Sequence, residues 1–152
     1  GHLVLSTLHT NSAVGAITRL QDMGVEPFLL SSTLLGVISQ RLVRKLCPNC
    51  KSATRLDVEQ INGFAITPDD EIYKAGACHE CGQSGFRGRT GIYEIIEVDD
   101  NLSTMIHDGA SQPKLEAYCR TRSQSLREDG IRRVLQGDTT IDEVLRVTRD
   151  GG

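Results

Sequence analysis

The residues with the clearest chemistry are four cysteines in two C-x-x-C pairs: Cys47, Cys50, Cys78 and Cys81. Each pair makes a tight turn that points two thiolates at one spot, and two such turns supply the four soft ligands that tetrahedral zinc prefers. Pro48 rigidifies the first turn, and Gly82 follows the second. The spacing therefore predicts one structural zinc site, which does no catalysis because protein ligands fill every position.

Other uses of these cysteines are less well supported. A thioredoxin-like redox pair needs one C-x-x-C at the start of a helix in a βαβ unit. Five cysteines in 152 residues are too few for a disulfide scaffold. Four thiolates can also hold an iron–sulfur cluster, but the paired spacing is typical of a zinc ribbon. Cys119 is expected in a helix without a chemical role, and His79 is expected to be solvated and not a ligand.

A second group of polar residues follows an apolar run. Residues 3–8, LVLSTL, are apolar and β-rich, which predicts a fully buried parallel strand. Thr7, His9, Thr10 and Asn11 lie at its end. Ligands of parallel α/β sheets collect at the carboxyl ends of strands. These residues therefore form either a functional site or a hydrogen-bonded turn.

The elements that must position these groups form an α/β pattern. Helices are predicted over 13–23, from Pro27 through 35, over 112–122 behind Ser111, from a Ser125–Glu128 capping box to before Gly137, and over 141–149 from a Thr140–Glu143 box. Asp100 or Asn101 is expected to cap a short helix that ends near Gly109. Strands are predicted over 36–46, 71–76 and 92–98. The glycine-rich stretch 82–91 has no apolar period, and 51–77 is polar.

Composition limits the function classes. Hydrophobic residues make up 38% and charged residues 24%, the profile of a soluble globular protein. The net charge of -3 does not favour general nucleic-acid binding. No apolar run approaches the roughly 20 residues of a membrane helix, and Gly1-His2-Leu3 shows no signal peptide. The missing initiator methionine indicates either a truncated chain, which we favour, or a tag scar at Gly1-His2.

Several stretches resemble the type II secretion system ATPases, part of the secretion superfamily of hexameric RecA-like ATPases that includes the pilus motors. GHLVLSTLHTNSAVGAITRLQDMGVEPFLLSSTLLGVISQRLVRKLCPNC is similar to their His box and following region, and GFRGRTGIYEIIEVDD and SLREDGIRRVLQGDTTIDEVLRVT to their C-terminal part. The resemblance is weakest across 51–70, and it argues against a tag scar because it begins at Gly1-His2. It implies an α/β fold, the C-terminal part of a RecA-like ATPase domain: motor residues 1–46, a four-cysteine zinc module at 47–81, and a strand plus C-terminal helical subdomain at 82–152.

The resemblance also implies roles for single residues. His2 and His9 fall on the two His-box histidines near the terminal phosphate of the nucleotide, and His9 would help to position the γ-phosphate and the attacking water. Arg87 and Arg89 match the family's GRTG region, where they would face nucleotide or a neighbouring subunit; the alternative is a solvated turn. An arginine suits phosphate because its fork binds oxygens bidentately. The parent protein would use ATP and Mg²⁺ as well as zinc.

The phosphate-binding loop G-x-x-x-x-G-K-[ST] is absent from the sequence, since none of its four lysines follows a glycine. Without that loop the phosphates lose their nest of backbone N–H groups, and magnesium loses its hydroxyl ligand. The parent is therefore expected to be an ATPase, while this chain alone is expected to be inactive.

The resemblance implies a cytoplasmic motor, peripheral to the bacterial inner membrane, that powers pseudopilus assembly and protein export. Its partners would be identical subunits in a hexameric ring and inner-membrane platform proteins, with no nucleic acid. Three alternatives stay open: a type IV pilus assembly ATPase, a redox enzyme, and a stand-alone zinc-ribbon binding module. The last is favoured by a basic patch of Arg41, Arg44, Lys45 and Lys51, and disfavoured by the acidic balance and the three Phe, three Tyr and absent Trp.

Overall fold

The computed structural model describes residues 2–55 and 66–148. The chain forms two compact units, each built from segments that are distant in sequence: Gly1–Ser39 with Ile95–Ser123, and Gln40–Glu94 with Gln124–Asp150. The segments 1–46, 47–81 and 82–152 were defined from motifs and not from contacts, and they stay a prediction.

The first unit is helical. It contains α1 (Ala13–Asp22), α2 (Pro27–Thr33), α3 (Asp100–His107) and α4 (Gln112–Arg120). Helix α2 packs against α3, and α4 contacts both α1 and α3. Burial of apolar side chains stabilises this arrangement, and the core consists of Ala13, Val14, Ile17, Leu30, Ile96, Leu102, Ile106, Leu115 and Cys119. Cys119 is therefore a core residue.

Local capping explains where these helices begin. The Ser12 hydroxyl accepts a hydrogen bond from the Gly15 backbone N–H at 3.0 Å. The predicted cap of α3, Asp100 or Asn101, is wrong by one or two positions. Asp99 has extended backbone and accepts the Leu102 N–H at 2.8 Å, while Asp100 lies inside the first turn. A cap needs non-helical backbone, and Asp99 is the residue that has it.

The second unit combines short strands with two helices. Strand β2 (Ser52–Thr54) pairs antiparallel with β3 (Ile72–Lys74), and Ser52 lies opposite Lys74. Helices α5 (Leu126–Leu135) and α6 (Ile141–Thr148) pack on each other, and α5 also contacts β3. Two small clusters of buried residues form its core: Val43, Ile92 and Leu126, and Ile72, Val134 and Val144.

Two longer strands, β1 (Gly36–Leu46) and β4 (Phe86–Glu97), are hydrogen-bonded neighbours in a sheet. The predicted strand over 36–46 is confirmed. The strand predicted over 92–98 begins six residues earlier than expected, because β4 already starts at Phe86 within the glycine-rich stretch 82–91. Pairing with β1 gives this glycine-rich stretch partners for its backbone, and such tertiary context overrides a low intrinsic strand preference.

The predicted buried strand over 3–8 is also wrong. Residues 2–10 have no regular secondary structure, and Leu3, Val4 and Leu5 are 76%, 78% and 88% exposed. A buried parallel strand needs hydrogen-bonded neighbours and cover on both faces. Among the described residues no strand pairs with this segment.

Some predictions lie partly outside the described residues. The polar stretch 51–77 includes residues 56–65, and the last predicted helix reached 149. Within residues 2–55 and 66–148, every helix is too short or too polar to cross a membrane.

Candidate metal centre

Two turns of chain carry the four cysteines. Cys47 directly follows β1, and the backbone N–H groups of Cys50 and Lys51 donate to its carbonyl at 3.4 and 3.0 Å. The second turn is a 3₁₀ turn at His79–Cys81, in which the Gln83 N–H donates to the Cys78 carbonyl at 2.9 Å. Each C-x-x-C is thus a hydrogen-bonded knuckle.

A backbone hydrogen bond joins the two knuckles, since the Cys47 N–H donates to the Gly85 carbonyl at 2.9 Å. Close backbone contact continues at Gly76, where a Cβ atom would lie 2.1 Å from the Cys50 carbonyl oxygen. At Gly85 a Cβ would lie 2.5 Å from the Gly76 carbonyl oxygen, and φ is +76°. Only glycine fits these two positions without backbone displacement. Gly76 was not predicted as part of the site, although it stands two residues before Cys78.

The four sulfur atoms lie within 4.8 Å of one another. Sγ–Sγ distances are 3.8 Å for Cys47–Cys78, 3.8 Å for Cys50–Cys81 and 3.6 Å for Cys78–Cys81. Zinc–sulfur bonds of about 2.3 Å in a tetrahedron place sulfur atoms about 3.8 Å apart. A disulfide needs about 2.05 Å, and all four thiols are free. The spacing therefore fits one tetrahedrally bound ion.

The donor set also fits zinc better than the alternatives. A four-iron cluster would hold its cysteine sulfurs farther apart, because each sulfur binds a different iron atom. Among the described residues these four cysteines alone form a group within metal-ligating reach, and His79 is exposed. Thiolates are soft ligands that select zinc over magnesium or calcium.

The thiols differ in how readily they ionise. Burial, together with hydrogen bonds to Cys78, Cys81 and Cys47, raises the pKa of Cys50 to about 12. Burial also opposes ionisation of Cys81, but backbone hydrogen bonds at Cys78 and Gly85 outweigh it and lower its pKa to about 6. The Gly85 N–H lies 3.2 Å from the Cys81 sulfur. A divalent cation would favour the thiolate form of all four.

Lys51 anchors the first knuckle to the helical part of the second unit. Its ammonium donates to the Gly137 carbonyl at 2.8 Å and lies 4.4 Å from the centre of the Tyr73 ring. The Leu46 N–H likewise donates to the Asp138 carbonyl at 2.8 Å. The turn between α5 and α6 therefore holds the chain on either side of Cys47.

The remaining predicted site residues lie outside this centre. His2 and His9 are exposed in the first unit, on the segment without regular structure. Arg87 and Arg89 are exposed on β4 in the second unit, and the Arg87 Nη1 lies 3.6 Å from the Glu80 carboxylate. The roles assigned to these four residues stay predictions.

Glu143 was predicted as part of a helix capping box, and its carboxylate also forms a buried ion pair. Half of its predicted capping box is present, because its N–H donates to the Thr140 hydroxyl at 3.4 Å. Its carboxylate, however, binds two arginines. Arg44 donates from Nη2 at 2.6 Å and from its backbone N–H at 3.1 Å, and Arg146 donates from Nε and Nη2 at 3.1 and 2.9 Å.

This ion pair determines the ionisation of Glu143, whose side chain is 3% exposed. Burial opposes its charge, but hydrogen bonds from Arg44 and Arg146 outweigh that effect and lower its pKa to about 2. The i, i+3 spacing of Glu143 and Arg146 was a signal in the sequence. Arg44, far away in sequence, could not be paired with them without the fold.

The fold and the site together define a mixed α/β protein in which four clustered cysteines have the geometry of a metal site. The chain belongs to the type II/IV secretion system protein family, whose model matches residues 1–146. It is 55% identical over 152 residues to type II secretion system protein E of Pseudomonas aeruginosa, and 51% identical over the same length to type II secretion system ATPase E of Vibrio cholerae. Both matches cover 99% of this chain, which spans 30% of the length of either relative.

A solved structure is similar over nearly the whole chain. It is the pilus retraction motor PilT with bound ADP, with a TM-score of 0.63 and 22% identity, covering 99% of this chain and 34% of that one. At this identity the match shows the fold. The α/β fold class expected from the sequence, and its resemblance to type II secretion system ATPases, are confirmed.

Proposed function

We propose that this chain is the C-terminal part of a cytoplasmic motor ATPase that drives pseudopilus assembly and protein export in type II secretion. The observation that carries the proposal is the 51% identity, along the whole chain, to a protein named as a type II secretion ATPase. The similarity in fold to a pilus motor supports the same assignment. Because the chain spans 30% of the length of its relatives, ATP hydrolysis belongs to the whole protein and not to this part alone.

In this proposal the exposed His9, together with His2, acts near the γ-phosphate of ATP. ATP and Mg²⁺ bind mainly to the rest of the protein, since the sequence contains no phosphate-binding loop. Arg87 and Arg89 face nucleotide or a neighbouring subunit. Both arginines are exposed on one strand, as that role requires.

The four cysteines hold a structural zinc ion. The ion would tie the residues that follow β1 to the turn that precedes β4. Short strands such as β2 and β3, of three residues each, bury little apolar surface. A cross-link at the knuckles therefore replaces a core that this part of the chain is too polar to build.

The whole protein would work as a ring, with a hexamer expected, against inner-membrane platform proteins and without nucleic acid. A pilus assembly ATPase is the nearest alternative; the identity to type II proteins favours secretion. A stand-alone zinc-ribbon module is disfavoured by a family match over residues 1–146. Arg44 and Lys51 of the basic patch also have intramolecular partners.

The test replaces His9 by Ala in the full-length protein and measures ATP turnover. We expect kcat to fall about 100-fold, the scale of losing a group that positions water or stabilises transition-state charge. The matched control is His107→Ala, an exposed histidine at the end of α3, which should leave turnover unchanged. Wild-type turnover in His9→Ala would remove the role of His9. Full-length protein without ATPase activity would remove the motor assignment.

A further inference from the structure

A concave surface of the second unit gathers three arginines that are distant in sequence. The concavity has a volume of about 520 Å³, and its lining includes Leu42, Arg44, Arg89 and Arg146. Arg44 lies on β1, Arg89 on β4 and Arg146 on α6. A run of solvated charges normally belongs to one element, whereas here arginines from three elements line one concavity.

Two of these guanidinium groups are held in place before any ligand binds. The buried Glu143 carboxylate accepts hydrogen bonds from both Arg44 and Arg146. The Arg44 guanidinium also lies 4.1 Å from the centre of the Phe86 ring. A guanidinium group that is already fixed loses little side-chain entropy when a ligand binds, so the entropy cost offsets little of the interaction energy.

Among the described residues, the lining of the concavity keeps an excess of positive charge. Glu143 is a single carboxylate shared by two of the arginines, and within residues 2–55 and 66–148 Arg89 forms no ion pair. Arg146 uses Nε and Nη2 on Glu143, which leaves Nη1 for another acceptor. Charge and donor groups therefore both remain available for an anion.

We propose that the concavity of Leu42, Arg44, Arg89 and Arg146 is a binding site for a phosphate group. A tetrahedral oxyanion offers oxygens in several directions and can accept from arginines on different elements, while a flat carboxylate matches one fork. The phosphate belongs either to a soluble phosphate compound or to an anionic lipid headgroup. Of the two roles proposed for Arg89, this site is compatible with a position at a subunit interface and not with contact to the nucleotide, and the proposal otherwise rests on the geometry of one unit.

The test measures binding of inorganic phosphate to the full-length protein by calorimetry. A non-hydrolysable ATP analogue is added first to fill the proposed nucleotide site, so that a failure of that site appears separately as absent analogue binding. We expect Arg89→Gln and Arg146→Gln each to weaken phosphate binding about tenfold, because each removes a charge-assisted hydrogen bond. The control Lys45→Gln removes a neighbouring exposed charge outside the concavity and should change affinity less than about twofold.

Vesicles of phosphatidylglycerol in phosphatidylcholine distinguish the two sources. Sedimentation with vesicles that needs Arg89 and is competed by phosphate assigns a lipid headgroup. Phosphate binding that needs Arg89, without vesicle binding, assigns a soluble phosphate compound. The proposal is overturned if phosphate does not bind, or if Arg89→Gln, at an exposed position where folding should be unaffected, binds it like wild type.

Discussion

Single residues of the second unit show how burial and charge are balanced. Glu143 is 3% exposed, while the side chains of its partners Arg44 and Arg146 are 50% and 56% exposed. Two half-hydrated guanidiniums therefore compensate one buried carboxylate. A buried charge of this kind is tolerated only with such partners, and the lowered pKa of Glu143, about 2, reflects their strength.

Replacing Glu143 by Gln should lower the free energy of unfolding by about 2 kcal/mol at neutral pH. Loss of one partner of a buried pair costs about 3–5 kcal/mol, and hydration of the exposed arginines reduces that figure here. Urea unfolding measures the difference, with the exposed neighbouring Asp142→Asn as the control.

The difference in stability between wild type and Glu143→Gln should depend on pH. The pKa of Glu143 in the folded protein is about 2, below its ordinary value of 4.5. Its contribution is therefore fully present above pH 4.5 and is lost as the pH falls toward about 2. The stability of wild type should approach that of Glu143→Gln over this range, and a constant difference would contradict the account.

Helix caps separate two serines that look alike in the sequence. Ser125 begins α5 with a complete capping box, in which its hydroxyl accepts the Glu128 N–H and the Glu128 carboxylate accepts the Ser125 N–H at 2.7 Å. Ser111 precedes α4, but its side chain makes no capping hydrogen bond. The capping box was predicted from the sequence, whereas the difference between the two serines was not.

Ser125→Ala should therefore lower the free energy of unfolding by about 1 kcal/mol, because an orphan backbone N–H of α5 loses its acceptor. Ser111→Ala is the matched control and should cost only a few tenths of that, since no such bond is lost. Denaturant unfolding followed by circular dichroism measures both. Equal losses in the two variants would show that the cap geometry does not control stability here.

Secondary-structure elements that depend on neighbouring residues in the sequence were predicted correctly, whereas some elements that depend on distant partners were not. Helices α1 and α5 begin at residues 13 and 126, as capping and periodicity indicated. The strand expected over 3–8 did not form, because a buried strand depends on neighbours that no local signal reports. Strand β4 extends back to Phe86 for the complementary reason: its partner β1 is distant in sequence.

Across the whole molecule, the metal centre could be predicted from the sequence, and the arginine concavity could not. Each C-x-x-C pair determines its own knuckle from local sequence. The fold then has only to bring the two knuckles together. Arg44, Arg89 and Arg146 carry no such local signature, and only the fold brings them to one concavity. The nucleotide roles of His9 and Arg89 stay predictions, because the chain spans only 30% of the length of the relatives it matches.

The most direct test of the account is the metal content of the purified protein, with a thiol count before and after chelation. We predict about one zinc ion per chain, four thiols that become reactive on chelation, and a fifth, the buried Cys119, that reacts only after denaturation. Cys47→Ser should lose most of the zinc. Protein without metal, in which the four knuckle thiols already react in the native state, would contradict the closed zinc centre.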